Sequence, residues 1–179
     1  ITTINSTAAP FEMFRIVNET TGGTIDVQNS LGFNVQYDTL LVTVLNINGY
    51  RGGQYAYLMN NHITGNVTTA DDASYGGGFI TYIRNNVITG NSNFSNNGTN
   101  TFAEANVPGT GNIYNGNVTF TGGGPGNLLI GFGAPLQCTG NLTINRTEAG
   151  LTSAFNLGAE IGGNFTYTNN TAGETGFGN

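Results

Sequence analysis

Side chains able to do acid–base, nucleophilic or metal chemistry are sparse in this 179-residue chain: one histidine, His62, one cysteine, Cys138, ten carboxylates, four arginines and no lysine. A lone histidine supplies neither a metal cluster nor a catalytic triad, so His62 reads as structural or solvated. Cys138 occupies a place held by apolar residues elsewhere and reads as a small buried hydrophobe. Only Asp71 and Asp72 are adjacent carboxylates, and Ca²⁺ is the one metal they could attract. A calcium site needs six or more oxygens, so the expectation is no metal and no cofactor. Glycoside hydrolysis needs two carboxylates at a fixed separation, and nothing in the order of Asp and Glu singles out such a pair. The glycine-rich Gly122-Gly123-Gly124-Pro125-Gly126 is not followed by Lys-Ser/Thr, so it is no phosphate loop. The chain is not expected to be an enzyme.

Charge is equally thin. Charged residues make up 8% of the sequence and the formal net charge is -6. Arg15, Arg51, Arg84 and Arg146 are scattered, leaving no basic patch to neutralise phosphates, so no nucleic-acid partner is expected. No apolar run is long enough to cross a bilayer as a helix, so no membrane span is expected. One cysteine permits no intrachain disulfide. Together with the low charge, this composition fits a secreted or cell-surface protein, and the expected location is extracellular.

The elements that must hold these residues announce themselves by repetition. Gly116-Asn117-Val118-Thr119-Phe120 recurs as Gly140-Asn141-Leu142-Thr143-Ile144 and Gly163-Asn164-Phe165-Thr166-Tyr167, and earlier as Gly65-Asn66-Val67-Thr68-Thr69 and, degraded, Gly90-Asn91-Ser92-Asn93-Phe94. The leading glycines Gly65, Gly90, Gly116, Gly140 and Gly163 are nearly evenly spaced along the chain. A near-constant period of this size marks stacked repeats. Short β-branched and aromatic runs alternate with Gly/Asn turns, among them Asn96-Asn97-Gly98 and Asn145-Arg146-Thr147-Glu148, and no stretch combines a helical period with caps. The expected fold is all-β, a parallel β-solenoid over 37–179 with coils of about 24 residues. Residues 1–36 lie outside the repeat and read as N-terminal strands that cap the stack or serve as an exchange arm. A β-sandwich with a donated strand is the alternative.

Parity sorts each coil into faces, because side chains alternate across a strand. Two residues before each glycine stand Ile63, Ile88, Tyr114, Cys138 and Ile161, and two after it Val67, Ser92, Val118, Leu142 and Phe165, an inward set. The opposite parity places Asn66, Asn117, Asn141 and Asn164 with Thr68, Thr119, Thr143 and Thr166 on an outer polar ladder. Stacked about 4.8 Å apart, its asparagines are expected to exchange amide hydrogen bonds from rung to rung. The ladder also creates N-x-Ser/Thr sequons. Rungs that close leave little room for a glycan on every coil, so the turn sites Asn97, Asn145 and Asn169 are the better glycosylation candidates.

The phrase apolar-x-Gly-Asn-(Val/Leu/Phe)-Thr-(Phe/Ile/Tyr) with Gly/Asn/Thr-rich turns resembles the β-solenoid repeats of large secreted bacterial adhesins and surface proteins, over roughly residues 55 to 179. The resemblance implies surface display, adhesion or matrix building, and brings no catalytic residues. A solenoid has open ends that must be capped or paired, and Gly176-Phe177-Gly178-Asn179 offers no evident cap. The expected function is an extracellular structural protein, a filament subunit or adhesin stalk that self-associates end to end or by strand addition. The alternatives are a module binding glycan or ice through its Asn/Thr face and, behind that, a polysaccharide-active β-helix enzyme.

Overall fold

The computed structural model describes residues 2–5, 11–17, 20–51, 56–74, 80–105, 107–109 and 111–178, excluding the side chains of 2–5, 11–13, 17 and 20–21. The protein is an all-β parallel solenoid of about six coils. Every strand pairing among the described residues is parallel and joins one coil to the next, which excludes the sandwich alternative.

From Ala56 onward each coil contributes three strands, and the earlier coils contribute two. The first sheet has two facets. A facet of short strands comprises His62–Ile63, Val87–Ile88, Ile113–Tyr114, Leu136–Cys138 and Ala159–Ile161. Around a corner lies the ladder facet of Asn66–Asp71, Ser92–Asn96, Val118–Gly122, Leu142–Arg146 and Phe165–Asn169. Thr39–Tyr50 runs through both facets in one strand. The second sheet stacks Phe11–Val17, Ser30–Gln36, Ala56–Met59, Ile80–Arg84, Thr101–Glu104, Leu128–Ile130, Thr152–Ala154 and Thr175–Phe177. The strands of the 1–36 segment pair within these same sheets at shorter steps. Phe14 pairs with Phe33 and Thr20 with Thr39, each a shorter stretch of chain than the one separating Val118 from its partner Leu142.

The inward columns fill the interior as parity requires. Ile63, Ile88, Tyr114 and Cys138 are buried, as are Val67, Ser92, Val118 and Leu142. Phe94 stacks on Phe120 with ring centroids 5.5 Å apart, and Phe102 and Tyr114 meet both rings edge-on or tilted. Such offset and edge-to-face pairs add to the gain from burial.

Two backbone devices turn the corners. At the Gly-Asn corner the glycine is demanded by contact: a Cβ on Gly116 would stand 2.5 Å from the Gly90 carbonyl oxygen, and one on Gly140 would stand 2.6 Å from that of Gly116. At the corner after the second sheet, Tyr37, Asn60, Asn85, Ala105, Gly131 and Phe155 all adopt positive φ, between 48° and 63°. Left-handed backbone disfavours most side chains, and only Asn and Gly in that column suit it intrinsically.

Asn145 and Arg146 are not in a turn. The ladder strand Leu142–Arg146 runs through both. Arg146 is buried, its Nη2 donates to the Gly126 carbonyl at 2.6 Å, and it lies over Gly122, the residue it pairs with one coil earlier. Gly122 therefore makes room for a guanidinium rather than starting a flexible loop.

Candidate functional site

The ladder facet brings together all eight outer-ladder residues. Asn66, Asn117, Asn141, Asn164 and Thr166 are exposed, and Thr68, Thr119 and Thr143 half-buried. Thr119, Thr143 and Thr166 pair in register, and Asn93 joins Thr68 to Thr119. A neighbouring outward column reads Ala70, Ser95, Thr121, Asn145 and Thr168. From Thr68 onward neither column contains a charge, so those rungs offer hydroxyl, methyl and amide groups on a regular grid; Asn46 and then Asp26 continue the first column in register into the earlier coils.

Its asparagines bond differently from the expected side-chain exchange. Each amide oxygen accepts the backbone N–H of the asparagine one coil on: Asn66 from Asn91 at 2.9 Å, Asn91 from Asn117 at 3.0 Å, Asn117 from Asn141 at 2.9 Å and Asn141 from Asn164 at 2.8 Å. The corner leaves that N–H outside the strand ladders, and a backbone donor needs a partner. Asn117→Ala removes one acceptor at an exposed position where water can substitute. The expected loss is about 1 kcal/mol, read as a small fall in melting temperature by circular dichroism; an unchanged transition would mean the bond contributes nothing.

A second amide row, hidden in the interior, escaped the sequence reading. Asp38, Asn61, Asn86 and Asn112 are buried, stacked one per coil at the corner between the second sheet and the short strands. Here the bonds run the other way. Asn112 Oδ1 accepts from the Asn86 backbone N–H at 2.8 Å and from its Nδ2 at 2.9 Å, and Asn86 Oδ1 accepts from the same groups of Asn61 at 3.1 and 3.0 Å. The amide nitrogens also donate to the carbonyls of Val35, Leu58 and Ile83. The only hint was an asparagine four residues before the glycine in three coils.

In the next coil the position holds Leu136, which is fully buried and offers no oxygen. Glu104 supplies it instead. Its carboxylate accepts from Asn112 Nδ2 at 2.6 Å, from Tyr114 Oη at 3.3 Å and from the Gly131 N–H at 2.7 Å. It stands in an inward column between Ile83 and Ile130, and burial pushes its pKa up from 4.5 to about 7 against the lowering effect of those donors.

The remaining reactive groups are dispersed. His62 is exposed on the short-strand facet. Cys138 is buried, its Sγ within 3.5 Å of the Gly116 and Gly140 carbonyls, and burial raises its thiol pKa. The carboxylates of Asp71 and Asp72 serve different partners. Asp71 accepts from the backbone of Asn97 and Gly98 and from Asn100, whereas Asp72 pairs with Arg51 at 2.8 Å and accepts from Ser74. Among the described residues no three His, Cys, Asp or Glu gather as a metal would require.

The glycosylation candidates occupy three different settings. Asn97 donates its Nδ2 to the Asp71 carbonyl at 3.3 Å, in a turn. Asn145 lies within a ladder strand. Asn169 closes a turn by accepting from Thr171 while its Nδ2 donates to Thr175 at 3.2 Å. An N-glycan attaches at Nδ2, so at Asn97 and Asn169 the acceptor atom is engaged within the fold. Comparison with protein-family models, curated proteins and solved structures finds no match, so the reading of this chain rests on its own geometry.

Proposed function

We propose that the protein is an extracellular structural element, a rod or stalk that lengthens by stacking coils and has no catalytic role. The observation that carries this is the face of the last described coil. There the inward columns are uncovered: Phe165 is 43% exposed and Phe177 44%, and both pack with Phe155 and Tyr167 in one aromatic cluster. The strands Ala159–Ile161, Phe165–Asn169 and Thr175–Phe177 each pair on one side only. An apolar patch framed by unpaired strand edges is a surface for strand addition. It suits a further coil, whether from the same polypeptide or from another copy.

Electron microscopy and light scattering of the purified chain test this. Oligomers or fibres are expected at high concentration, and Phe165→Asp with Phe177→Asp is expected to return monomers. Monodisperse single particles of the unsubstituted chain across salt and Ca²⁺ conditions would overturn the reading. A second reading follows from the in-register Asn/Thr rungs between Thr68 and Thr166, which carry no charge and suit recognition of a regular neutral surface such as glycan or ice.

A further inference from the structure

The facet of short strands carries its titratable groups at opposite ends. Its outward column reads His62, Val87, Ile113, Gln137 and Glu160, each in register with the next. His62 and Glu160 are exposed, and among the described residues neither is in an ion pair. Gln137 Nε2 donates to Glu160 Oε2 at 3.2 Å. Between the two ends Val87 is half-buried and Ile113 exposed, an apolar middle.

The corner that leads into this facet is built in two styles. Asn60-Asn61 and Asn85-Asn86 turn it with adjacent residues, whereas the next three coils insert 106–111, 132–135 and 156–158 after the left-handed residue. Each insertion displays one exposed apolar side chain, Val107, Phe132 or Leu157. A groove of about 350 Å³ lies among Pro108, Pro135 and Leu157, and another of about 530 Å³ continues to Glu160; Ile113 and Gln137 line both. Loops inserted on one side of a repeat stack often form its contact surface.

These features complement a second copy turned end for end. Reversing the column about Ile113 sets His62 against Glu160 of the copy at both ends, Val87 against Gln137, and Ile113 against itself. The same reversal lays the 132–135 and 156–158 loops over the bare corners at Asn85 and Asn60, where no insertion stands in the way. Such self-complementarity is what a two-fold contact requires. A parallel pairing would oppose His62 to His62 and Glu160 to Glu160, like against like.

We infer that two copies pair side by side and antiparallel through this facet, with Ile113 on the two-fold axis. From His62 to Glu160 the contact is four rungs, about 19 Å. That is the small end of protein interfaces, so pairing of free chains is weak. It uses a surface separate from the end face, and each rod keeps its own direction.

The experiment is cross-linking of Ile113→Cys with copper phenanthroline, the native Cys138 being buried. A disulfide-linked dimer is expected, and Asn117→Cys, exposed on the ladder facet, is expected to stay monomeric. Adding His62→Glu opposes carboxylates at both ends of the contact and is expected to slow cross-linking roughly tenfold. Adding Glu160→Arg as well is expected to restore it. Concentration-dependent amide shifts of the unsubstituted ¹⁵N-labelled chain, expected at Val87, Ile113 and Gln137, decide the matter if a variant misfolds. No cross-link, equal cross-linking through Asn117→Cys, indifference to His62→Glu, or shifts confined to Phe165 and Phe177 of the end face would overturn the pairing.

Discussion

Gly116→Ala is expected to lower stability by roughly 3 kcal/mol, the upper range for forcing extra volume into a packed site. The new methyl would sit 2.5 Å from the Gly90 carbonyl oxygen, a backbone atom held by its own sheet, so relief requires two coils to part. Separation at that point also stretches the bond from the Asn117 N–H to Asn91 Oδ1, coupling a steric cost to a lost hydrogen bond. Gly176→Ala is the control, because a Cβ there meets nothing within 4 Å. Thermal or denaturant unfolding separates the two. A Gly116 variant as stable as the Gly176 variant would show that the corner is looser than its geometry.

Acidification is expected to stabilise the fold between pH 7.5 and 4.5. Glu104 has its pKa raised from 4.5 to about 7, so the folded state favours the protonated carboxyl. Below 4.5 both states carry the proton and no penalty exists. As pH rises toward 7 the unfolded chain releases its proton while the folded one resists, and stability falls, by roughly 3 kcal/mol once pH exceeds the folded value. Glu104→Gln keeps an oxygen for Asn112 and removes the ionisation, so its stability is expected to stay flat over the same window. A slope equal to that of the unsubstituted chain would assign the pH dependence to other groups. Glu104→Ala, by contrast, strands the Asn112 amide and the Gly131 N–H in a dry interior and is expected to be destabilising at every pH.

Much of the fold was legible because the Gly-Asn phrase keeps period and parity together. Val118, Leu142 and Phe120 could be placed inward, and Thr119 and Thr143 outward, by counting from one glycine. The interior amide row was not legible in the same way. Asn60-Asn61 and Asn85-Asn86 have turn composition, and only the backbone at the corner decides that the first of each pair is left-handed and the second buried. That corner leaves little trace in side-chain type, since Tyr37, Ala105 and Phe155 share it with Asn and Gly. Glu104 was within reach: it stands two residues from inward Phe102 and so shares its parity, but a carboxylate in a core column runs against expectation. The register of Arg15, Asn34, Tyr57 and Tyr82 on the second sheet was hidden by uneven coil lengths. The stretch of chain between neighbours grows from Arg15 to Asn34, to Tyr57 and to Tyr82, so the four align only once the register is known.

The two amide rows reach in opposite senses along the stack. On the ladder facet each oxygen faces the coil that follows, and in the interior each oxygen faces the coil that precedes. A coil therefore has a front and a back that cannot be interchanged, and two such rods cannot splice tip to tip as mirror partners. Any fibre grown from this unit carries an arrow, so its two ends differ in what they can capture and in which one elongates.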